Sequence, residues 1–194
     1  MDDVNKPRRY CMLFCFFLKL HKVKHLQESS PTFDKVAEDC AFKLFYCSTV
    51  WSSTSKKNVR KLQLVQNYAC KIVAGLRKYD HVSEALKSLK WLNVRDKLLF
   101  NDLVMVYKCL KNLTPGYLHG RFQYRAKILQ RDTRQNNYLT LPRYRLATGQ
   151  KTFTYSGAKL YSNNSKDVRD TGDLIAIRKR LFKYLFNSLI VFYY

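Results

Sequence analysis

The feature that most constrains this chain is an apolar pattern between residues 56 and 76. Apolar side chains recur there at intervals of three and four positions, which is the repeat of one face of an α-helix. They are Val59, Leu62, Val65, Ala69, Ile72, Val73 and Leu76. Lys56, Lys57, Arg60 and Lys61 occupy other positions near the start, and Gly75 can adopt the left-handed conformation that closes a helix. The pattern therefore predicts a basic amphipathic helix that ends near Gly75.

The same helical repeat recurs in three further segments. Residues 81–89 predict a short helix, and residues 93–113 predict a longer one that is ended by Pro115 and Gly116. Residues 174–192 predict a terminal helix. Its basic positions, which we expect to form only a solvated face, are Arg178, Lys179, Arg180 and Lys183.

A shorter repeat appears in the C-terminal third of the chain. Residues 138–141 and 152–155 alternate between apolar and polar side chains, which is typical of short strands. Together the patterns predict a mostly α fold, in which a helical bundle is followed by a small irregular or β segment and a C-terminal helix.

The charge of the chain restricts its partners. Its 194 residues include 36 Lys and Arg against 14 Asp and Glu, a formal net charge of +22, while 46% of the residues are hydrophobic. That hydrophobic fraction argues against wholesale disorder. Clustered cations release counterions when they neutralise phosphates, so a strongly basic folded chain binds nucleic acid at least non-specifically. Acidic membrane surfaces would attract the same charge, and a merely solvated basic surface is the simpler alternative.

Cations and aromatic rings are interleaved between residues 121 and 145. This suits single-stranded nucleic acid, because cations hold the phosphates while rings stack on bases of any sequence. The candidate nucleic-acid-binding residues are Lys56, Lys57, Arg60, Lys61, Arg121, Phe122, Tyr124, Arg125, Arg131, Arg134, Arg143 and Arg145. The alternative is that the rings are half-buried and the arginines only solvated.

Several short motifs, taken in their order along the chain, resemble one known family. They are Tyr-Cys-Ser-x-Val-Trp at 46–51, Lys-Leu-Gln-x-Val-Gln-Asn at 61–67, Leu89-Lys90-Trp91-Leu92, Thr114-Pro115-Gly116-Tyr117-Leu118, Leu141-Pro142-Arg143-Tyr144-Arg145 and Phe153-Thr154-Tyr155-Ser156-Gly157-Ala158. In this order and spacing they resemble the region that follows the polymerase palm in reverse transcriptases of non-LTR (LINE-type) retrotransposons. The resemblance covers roughly residues 45–186.

This resemblance implies an organisation and a function. It implies a thumb-like helical region over residues 45–120, followed by a basic C-terminal region over residues 121–194 with short strands and the terminal helix. Residues 1–44 lie largely outside it and are expected to be partly helical. The implied function is weak, sequence-tolerant binding of RNA or DNA by a nuclear or cytoplasmic protein. The alternative is a helical protein-interaction module, or a non-functional transposon remnant with no ligand.

Catalytic motifs are absent from the sequence. The reverse transcriptases hold two magnesium ions between aspartates of an aromatic-x-Asp-Asp turn, because nucleotidyl transfer needs both metals. The adjacent acidic pairs here, Asp2-Asp3 and Glu38-Asp39, do not resemble that turn, and no nucleotide-binding or hydrolase motif occurs. The sequence therefore predicts no catalytic residues, no cofactor and a chain that is inert as an enzyme.

The cysteines and the first forty residues indicate neither a metal site nor a membrane span. Cys11 and Cys15 with His21 and His25 approach the spacing of a zinc site, but the loop between the two pairs is too short for a common finger. We therefore predict no metal and no disulfide framework, with the reduced thiols of an intracellular protein. The apolar run at residues 10–18 is too short to span a bilayer.

Overall fold

The computed structural model describes residues 44–128, 134–165, 169 and 173–191, with side chains up to residue 187. The predictions made for residues 1–43 and for Arg131 lie outside these ranges. Within them the chain is mostly helical, as the sequence predicts. In chain order the helices are α1 (Ser48–Trp51), α2 (Lys56–Val73), α3 (Ser83–Ser88), α4 (Val94–Leu110), α5 (Gly116–His119), α6 (Arg125–Ile128), α7 (Ala147–Gln150), α8 (Phe153–Asn163) and α9 (Leu174–Val191).

Helix α2 confirms the first prediction, including its end. Gly75 has a φ of 64°, a left-handed conformation that glycine adopts without the steric cost of a Cβ. The N–H of Leu76 then donates to the carbonyl of Lys71 at 2.9 Å, which satisfies one of the carbonyls left unpaired at a helix end.

Helix α4 also confirms its prediction but ends slightly earlier than expected. Asn112 has a φ of 56°, which asparagine tolerates better than most residues. The N–H of Leu113 donates to the carbonyl of Lys108 at 2.9 Å. The helix is therefore closed by Asn112 before the chain reaches Pro115, and Pro115 instead precedes α5.

The described residues divide into two compact units. Unit 1 comprises residues 57–91 with residues 44–46, and unit 2 comprises residues 47–56 with the described residues from 92 onward. A boundary between residues 120 and 121 was expected from the sequence. That boundary stays a prediction. Within unit 2, α4 packs against α8 and α9.

The core of unit 1 is built from small side chains. Ala69 and Cys70 of α2 are buried, as are Ala85 and Leu86 of α3, and Trp91 packs against both groups. Burial raises the pKa of the Cys70 thiol to about 11. The thiol therefore stays protonated and acts as a small apolar group.

The core of unit 2 is built from leucines and rings on α4, α8 and α9. Tyr107 lies against Tyr161 with ring centroids 5.2 Å apart, and Phe100 meets Phe182 edge to face at 6.4 Å. The fully buried side chains of this cluster include Leu139, Ile177 and Leu181. Ile177, Leu181 and Leu185 are buried at intervals of four residues, in agreement with the helical repeat predicted for residues 174–192.

Gly157 permits the close approach of α8 to α4. A Cβ at this position would lie 2.8 Å from Cγ2 of Val106, which is fully buried on α4. That distance is shorter than any normal carbon contact, so a larger residue would force the two helices apart.

The strand predictions were partly wrong. Residues 152–155 were expected to form a strand, but Thr152 is the N-cap of α8 and Phe153 is its first residue. Residues 138–141 contribute an isolated antiparallel bridge between Tyr124 and Leu139. Alternation over only four residues is compatible with both structures, and here the packing of Ala158 and Tyr161 into the core of unit 2 favours the helix.

Among the described residues, no helix is both long enough and apolar enough to cross a membrane.

Candidate nucleic-acid interface

Four of the candidate cations lie in the first two turns of α2. Lys56, Lys57, Arg60 and Lys61 are all exposed. Positions 56 and 60, like positions 57 and 61, are one turn apart and so lie on the same side of the helix. The first turn contains no acidic residue, and the positive end of the helix dipole adds to the field of the side chains. The start of α2 is therefore a concentrated positive surface.

A short antiparallel pairing organises the second group of candidate residues. Beside the bridge between Tyr124 and Leu139, the N–H of Arg125 donates to the carbonyl of Tyr138 at 2.8 Å. This pairing brings the guanidinium carbon of Arg125 to 6.0 Å from the centre of the Tyr138 ring. The same guanidinium donates to the side-chain oxygen of Gln135. Arg125 is thus held in place by both a ring and an amide.

Arg169 completes this arrangement and was missed by the sequence reasoning. Its guanidinium carbon lies 4.6 Å from the centre of the Tyr138 ring, within the range of a cation–π interaction. Its Nε and Nη1 are buried and have no hydrogen-bond partner in the described part of the chain. No local sequence signal marks Arg169, because it meets Tyr138 only through the fold. The Tyr138 ring is therefore engaged by two cations.

Phe122 must be removed from the candidate interface. Its side chain is only 6% exposed, and its ring meets Phe153 edge to face with centroids 5.6 Å apart. Successive side chains of an extended segment point to opposite sides, so residue 122 faces the core while Arg121 and Gln123 are exposed. The ring has no face open to a base, and the predicted stacking role of Phe122 is corrected accordingly.

Tyr124 shares the orientation of Phe122. Its ring packs partly against the core of unit 2, and its hydroxyl lies 3.2 Å from the hydroxyl of Tyr161, close enough for a hydrogen bond. Burial, followed by this hydrogen bond, raises the pKa of Tyr161. Tyr124 therefore contributes to packing, and only its partly exposed edge remains near the cations.

Arg143 and Arg145 are exposed on either side of Tyr144. The Tyr144 ring is 39% exposed and meets Tyr155 of α8 with centroids 6.2 Å apart. A Cβ at Gly149 would lie 2.7 Å from the ring, so glycine is needed where α7 passes beneath it. Tyr144 is the ring of the basic segment that combines a fixed position with a partly open face.

The two remaining arginines lie at the surface. Arg121 is exposed and its Nε donates to the carbonyl of Tyr117 at 3.2 Å, which restrains the side chain. Arg134 is exposed beyond the segment that contains Arg131. The structure thus brings together Arg125, Tyr138 and Arg169. Arg121, Arg134, Arg143 and Arg145 are exposed elsewhere on the surface.

The buried carboxyl of Asp102 was not anticipated from the sequence. Its side chain is 5% exposed on α4. Burial raises its pKa to about 7, and a hydrogen bond from the Ser52 side chain opposes the shift. Beside it, Nδ2 of Asn101 donates to Oγ of the buried Ser48 at 2.8 Å. Asp102 therefore lies in the contact between α4 and the segment that contains α1.

The described residues offer no site for a metal ion. Within these ranges, no group of three or more His, Cys, Asp or Glu side chains is placed to hold one. Comparisons of the chain with protein-family models, with curated proteins and with solved structures give no match. A function can therefore be argued only from the motifs of the sequence and from the positions of the cations and rings.

Proposed function

We propose that this chain binds single-stranded RNA or DNA weakly, through phosphate contacts and without reading the base sequence. The observation that supports this most is the exposure of most of the candidate cations. The exposed members are Lys56, Lys57, Arg60, Lys61, Arg121, Arg134, Arg143 and Arg145. Cations in these positions can reach phosphates without any change in the fold, and they release counterions when they do so.

Charge, rather than stacking, supplies most of the affinity in this proposal. Phe122 is buried, Tyr124 is partly packed, and Tyr138 already lies between two guanidinium groups. Tyr144 is left as the ring with a partly open face. Phosphate contacts carry no sequence information, so binding is tolerant of sequence and falls steeply as salt is added.

We further propose that the chain corresponds to the thumb-side and C-terminal part of a non-LTR retrotransposon reverse transcriptase. The ordered motifs of residues 46–158 support this origin, and so does the helical character of the described residues. In this proposal residues 45–120 correspond to the thumb-like region. Since the sequence lacks the paired aspartates of the palm, the chain alone should extend no primer on an RNA template with magnesium or manganese. Template-dependent incorporation above a mock preparation would contradict this.

The binding proposal can be tested by comparing two triple variants with equal loss of charge. The test variant carries Arg121→Gln, Arg134→Gln and Arg143→Gln, and the control carries Lys159→Gln, Lys179→Gln and Lys183→Gln. All six side chains are exposed in unit 2. The measurement is the affinity for a single-stranded RNA of several sequences at a series of salt concentrations.

The test variant should lose affinity about equally for every sequence. Its slope of log affinity against log salt should become shallower by roughly 0.7 for each lost contact with a single strand. The control variant should change less. Equal losses in both variants would show that total charge acts without a defined surface, and a flat slope for the unmodified chain would refute binding altogether.

A second candidate function, a protein-interaction module, is favoured by one observation on α2. Leu64 is 64% exposed and Tyr68, one turn later, is 40% exposed. An apolar pair on a helix surface can anchor a partner helix. Leu64→Ser should leave RNA affinity unchanged if the nucleic-acid proposal holds, whereas the exposed cations of α2 should matter for RNA.

A further inference from the structure

The loop that follows α2 carries an aromatic ring that the sequence reasoning missed. Tyr79 is 86% exposed, more than any other large hydrophobic residue whose side chain is described. Arg77 and Lys78 immediately precede it and are also exposed. This loop therefore combines cations with a ring, as residues 121–145 do, but its ring is open to water.

Hydrogen bonds within unit 1 restrain the loop. Nζ of Lys71, in the last turn of α2, donates to the carbonyl of Lys78 at 2.6 Å and so ties the loop to the helix. The N–H of Arg77 donates to Oδ2 of Asp80 at 2.8 Å, and the N–H of Asp80 donates to the carbonyl of Arg77 at 3.2 Å. Tyr79 therefore lies inside a closed turn, and a ligand that meets its ring requires little further ordering of the main chain.

The ring of Tyr79 has one face near a cation. Nζ of Lys78 lies 5.5 Å from the ring centre, within the range of a cation–π interaction. Lys78 can cover at most one face, so the other face stays open to a planar ligand. By contrast, Tyr138 is engaged by two guanidinium groups, and Tyr144 is 39% exposed. Tyr79 is therefore better placed for stacking than the rings of residues 121–145.

The start of α2 and this loop lie along one side of the helix. Arg60 is exposed and lies eleven residues before Lys71. Eleven residues are close to three turns and about 16 Å along the axis, so the two side chains leave the same side of α2. Because Lys71 holds the carbonyl of Lys78, the loop joins that side at its far end. A short single strand can therefore contact Arg60 and reach Tyr79.

We infer that Tyr79 stacks on a base of a single-stranded nucleic acid whose phosphates are neutralised by Arg60 and Arg77. This inference rests on the proposed function and adds to it the residue that meets a base. Every base has a flat face, so one stacking ring tolerates any sequence. Tyr79 takes the stacking role that the sequence reasoning assigned to Phe122, which is buried.

The experiment compares two strands of equal length that differ in whether they carry bases. One is a single-stranded RNA, and the other is a ribose-phosphate strand without bases. Each is bound to the unmodified full chain, to Tyr79→Ala, to Tyr79→Phe and to the control Tyr117→Ala. Tyr117 is 71% exposed, so the control removes a second surface tyrosine. Thermal unfolding of each variant should give a nearly unchanged Tm, as is usual for substitutions at the surface.

Tyr79→Ala should bind the RNA about fivefold more weakly or worse, as expected for the loss of one stacked base. It should bind the strand without bases as the unmodified chain does. The slope of log affinity against log salt should not change, because no phosphate contact is removed. Tyr79→Phe and Tyr117→Ala should bind both strands normally. An equal loss on both strands, or the same loss in Tyr117→Ala, would overturn the stacking role of Tyr79.

Asp80→Ala tests whether the turn positions the ring. The variant loses the carboxylate that accepts from the N–H of Arg77, and it makes the net charge of the chain more positive. The added charge should strengthen binding of the strand without bases, whereas loss of the turn should weaken binding of the RNA. An equal gain on both strands would overturn the positioning of Tyr79 by the turn.

The results also separate this inference from the proposed function. If the unmodified chain binds RNA but Tyr79→Ala binds it equally well, the proposed function stands and the stacking role is wrong. If the unmodified chain binds neither strand at low salt, the proposed function is itself wrong and the stacking role falls with it. If RNA binds more tightly than the strand without bases, and Tyr79→Ala removes this difference, both stand.

Discussion

Unit 1 and unit 2 are specified by their sequences in different ways. In unit 1 the buried residues Ala69 and Cys70 belong to the same short stretch as Ala85 and Leu86. The residues that build the core of unit 1 are therefore close together in the chain. The periodic pattern of α2 identifies the exposed face that carries its cations, but of the buried residues Gln66, Ala69 and Cys70 it includes only Ala69. A sequence pattern with the helical repeat is therefore sufficient to predict where unit 1 presents its cations.

In unit 2 the decisive contacts join residues that are far apart in the chain. Tyr107 of α4 meets Tyr161 of α8, and Phe100 meets Phe182 of α9. Phe122 likewise meets Phe153 of α8, and Asp102 is buried where α4 meets the segment that contains α1. A cation followed by an aromatic ring therefore indicates a binding surface only where the local repeat also fixes the exposed face.

The place of Phe122 in the core of unit 2 can be tested by removing its ring. Phe122→Ala should lower the free energy of unfolding by about 3–5 kcal/mol, as is usual for a buried ring. Chemical denaturation measures this change. Tyr144→Ala, at the partly exposed ring of the same basic segment, should cost much less.

RNA affinity supplies the second measurement on these two variants. At a temperature where Phe122→Ala remains folded, its affinity for single-stranded RNA should equal that of the unmodified chain. A clear loss of affinity with no loss of stability would show that Phe122 stacks on a base, and the contrast between the two units would then disappear.

The next effect is a pH dependence caused by Asp102 in unit 2. Burial raises the pKa of Asp102 to about 7, whereas an aspartate in an unfolded chain titrates near about 4. The unfolded state therefore binds fewer protons than the native state between these values, so stability falls as pH rises. On the order of 3 kcal/mol should be lost between about pH 4 and pH 7.

Asp102→Asn removes the titration of this carboxyl and leaves the other charged side chains in place. The variant should show a much flatter stability between pH 4 and pH 7 than the unmodified chain, measured by denaturation at each pH. Ser52→Ala removes a hydrogen bond that favours the carboxylate, so its loss of stability should continue to a higher pH. If the unmodified chain and Asp102→Asn had identical pH profiles, burial of the ionised Asp102 carboxyl would not be the cause of the loss of stability.

A smaller effect tests the close approach of α8 and α4. Gly157→Ala would normally favour a helix, but its Cβ would meet Val106 at 2.8 Å. Overpacking of this kind costs roughly 1–3 kcal/mol, and the net change in Tm should be a decrease. In a Val106→Ala background the same substitution should become neutral or stabilising. An equal decrease in both backgrounds would show that Val106 is not the obstacle.

The same helix shows why some of the fold was not predicted. The buried residues of α8 include Gly157, Ala158 and Tyr161, and glycine and alanine give too weak an apolar signal to reveal the helical repeat. The short alternation of residues 152–155 then favoured a strand. The long helices α2, α4 and α9 were predictable, since their leucines, isoleucines and valines repeat over several turns.

The candidate site was predictable to a similar extent. The exposure of Lys56 and Arg60 follows from the repeat of α2, but Arg169 meets Tyr138 only through the fold. The motifs that resemble reverse transcriptases indicate a family, and they do not indicate which side chains meet. Positions fixed by distant contacts therefore lie beyond what local patterns can predict.

The smallest effect compares one glycine from each unit. Gly75 in unit 1 has a φ of 64°, so Gly75→Ala should cost about 1 kcal/mol or slightly more, because a Cβ is unfavourable in that conformation. Gly120 in unit 2 has a φ of −62°, and a Cβ there would meet only the carbonyl of Gly116 at an ordinary 3.6 Å. Gly120→Ala should therefore be neutral or stabilise by up to about 1 kcal/mol, through the lower entropy of the unfolded chain. The free energy of unfolding of both variants is measured by denaturation. If it falls in Gly75→Ala and rises in Gly120→Ala, the end of α2 is fixed by its local conformation. Equal effects would mean that the left-handed residue at position 75 does not decide where the helix ends.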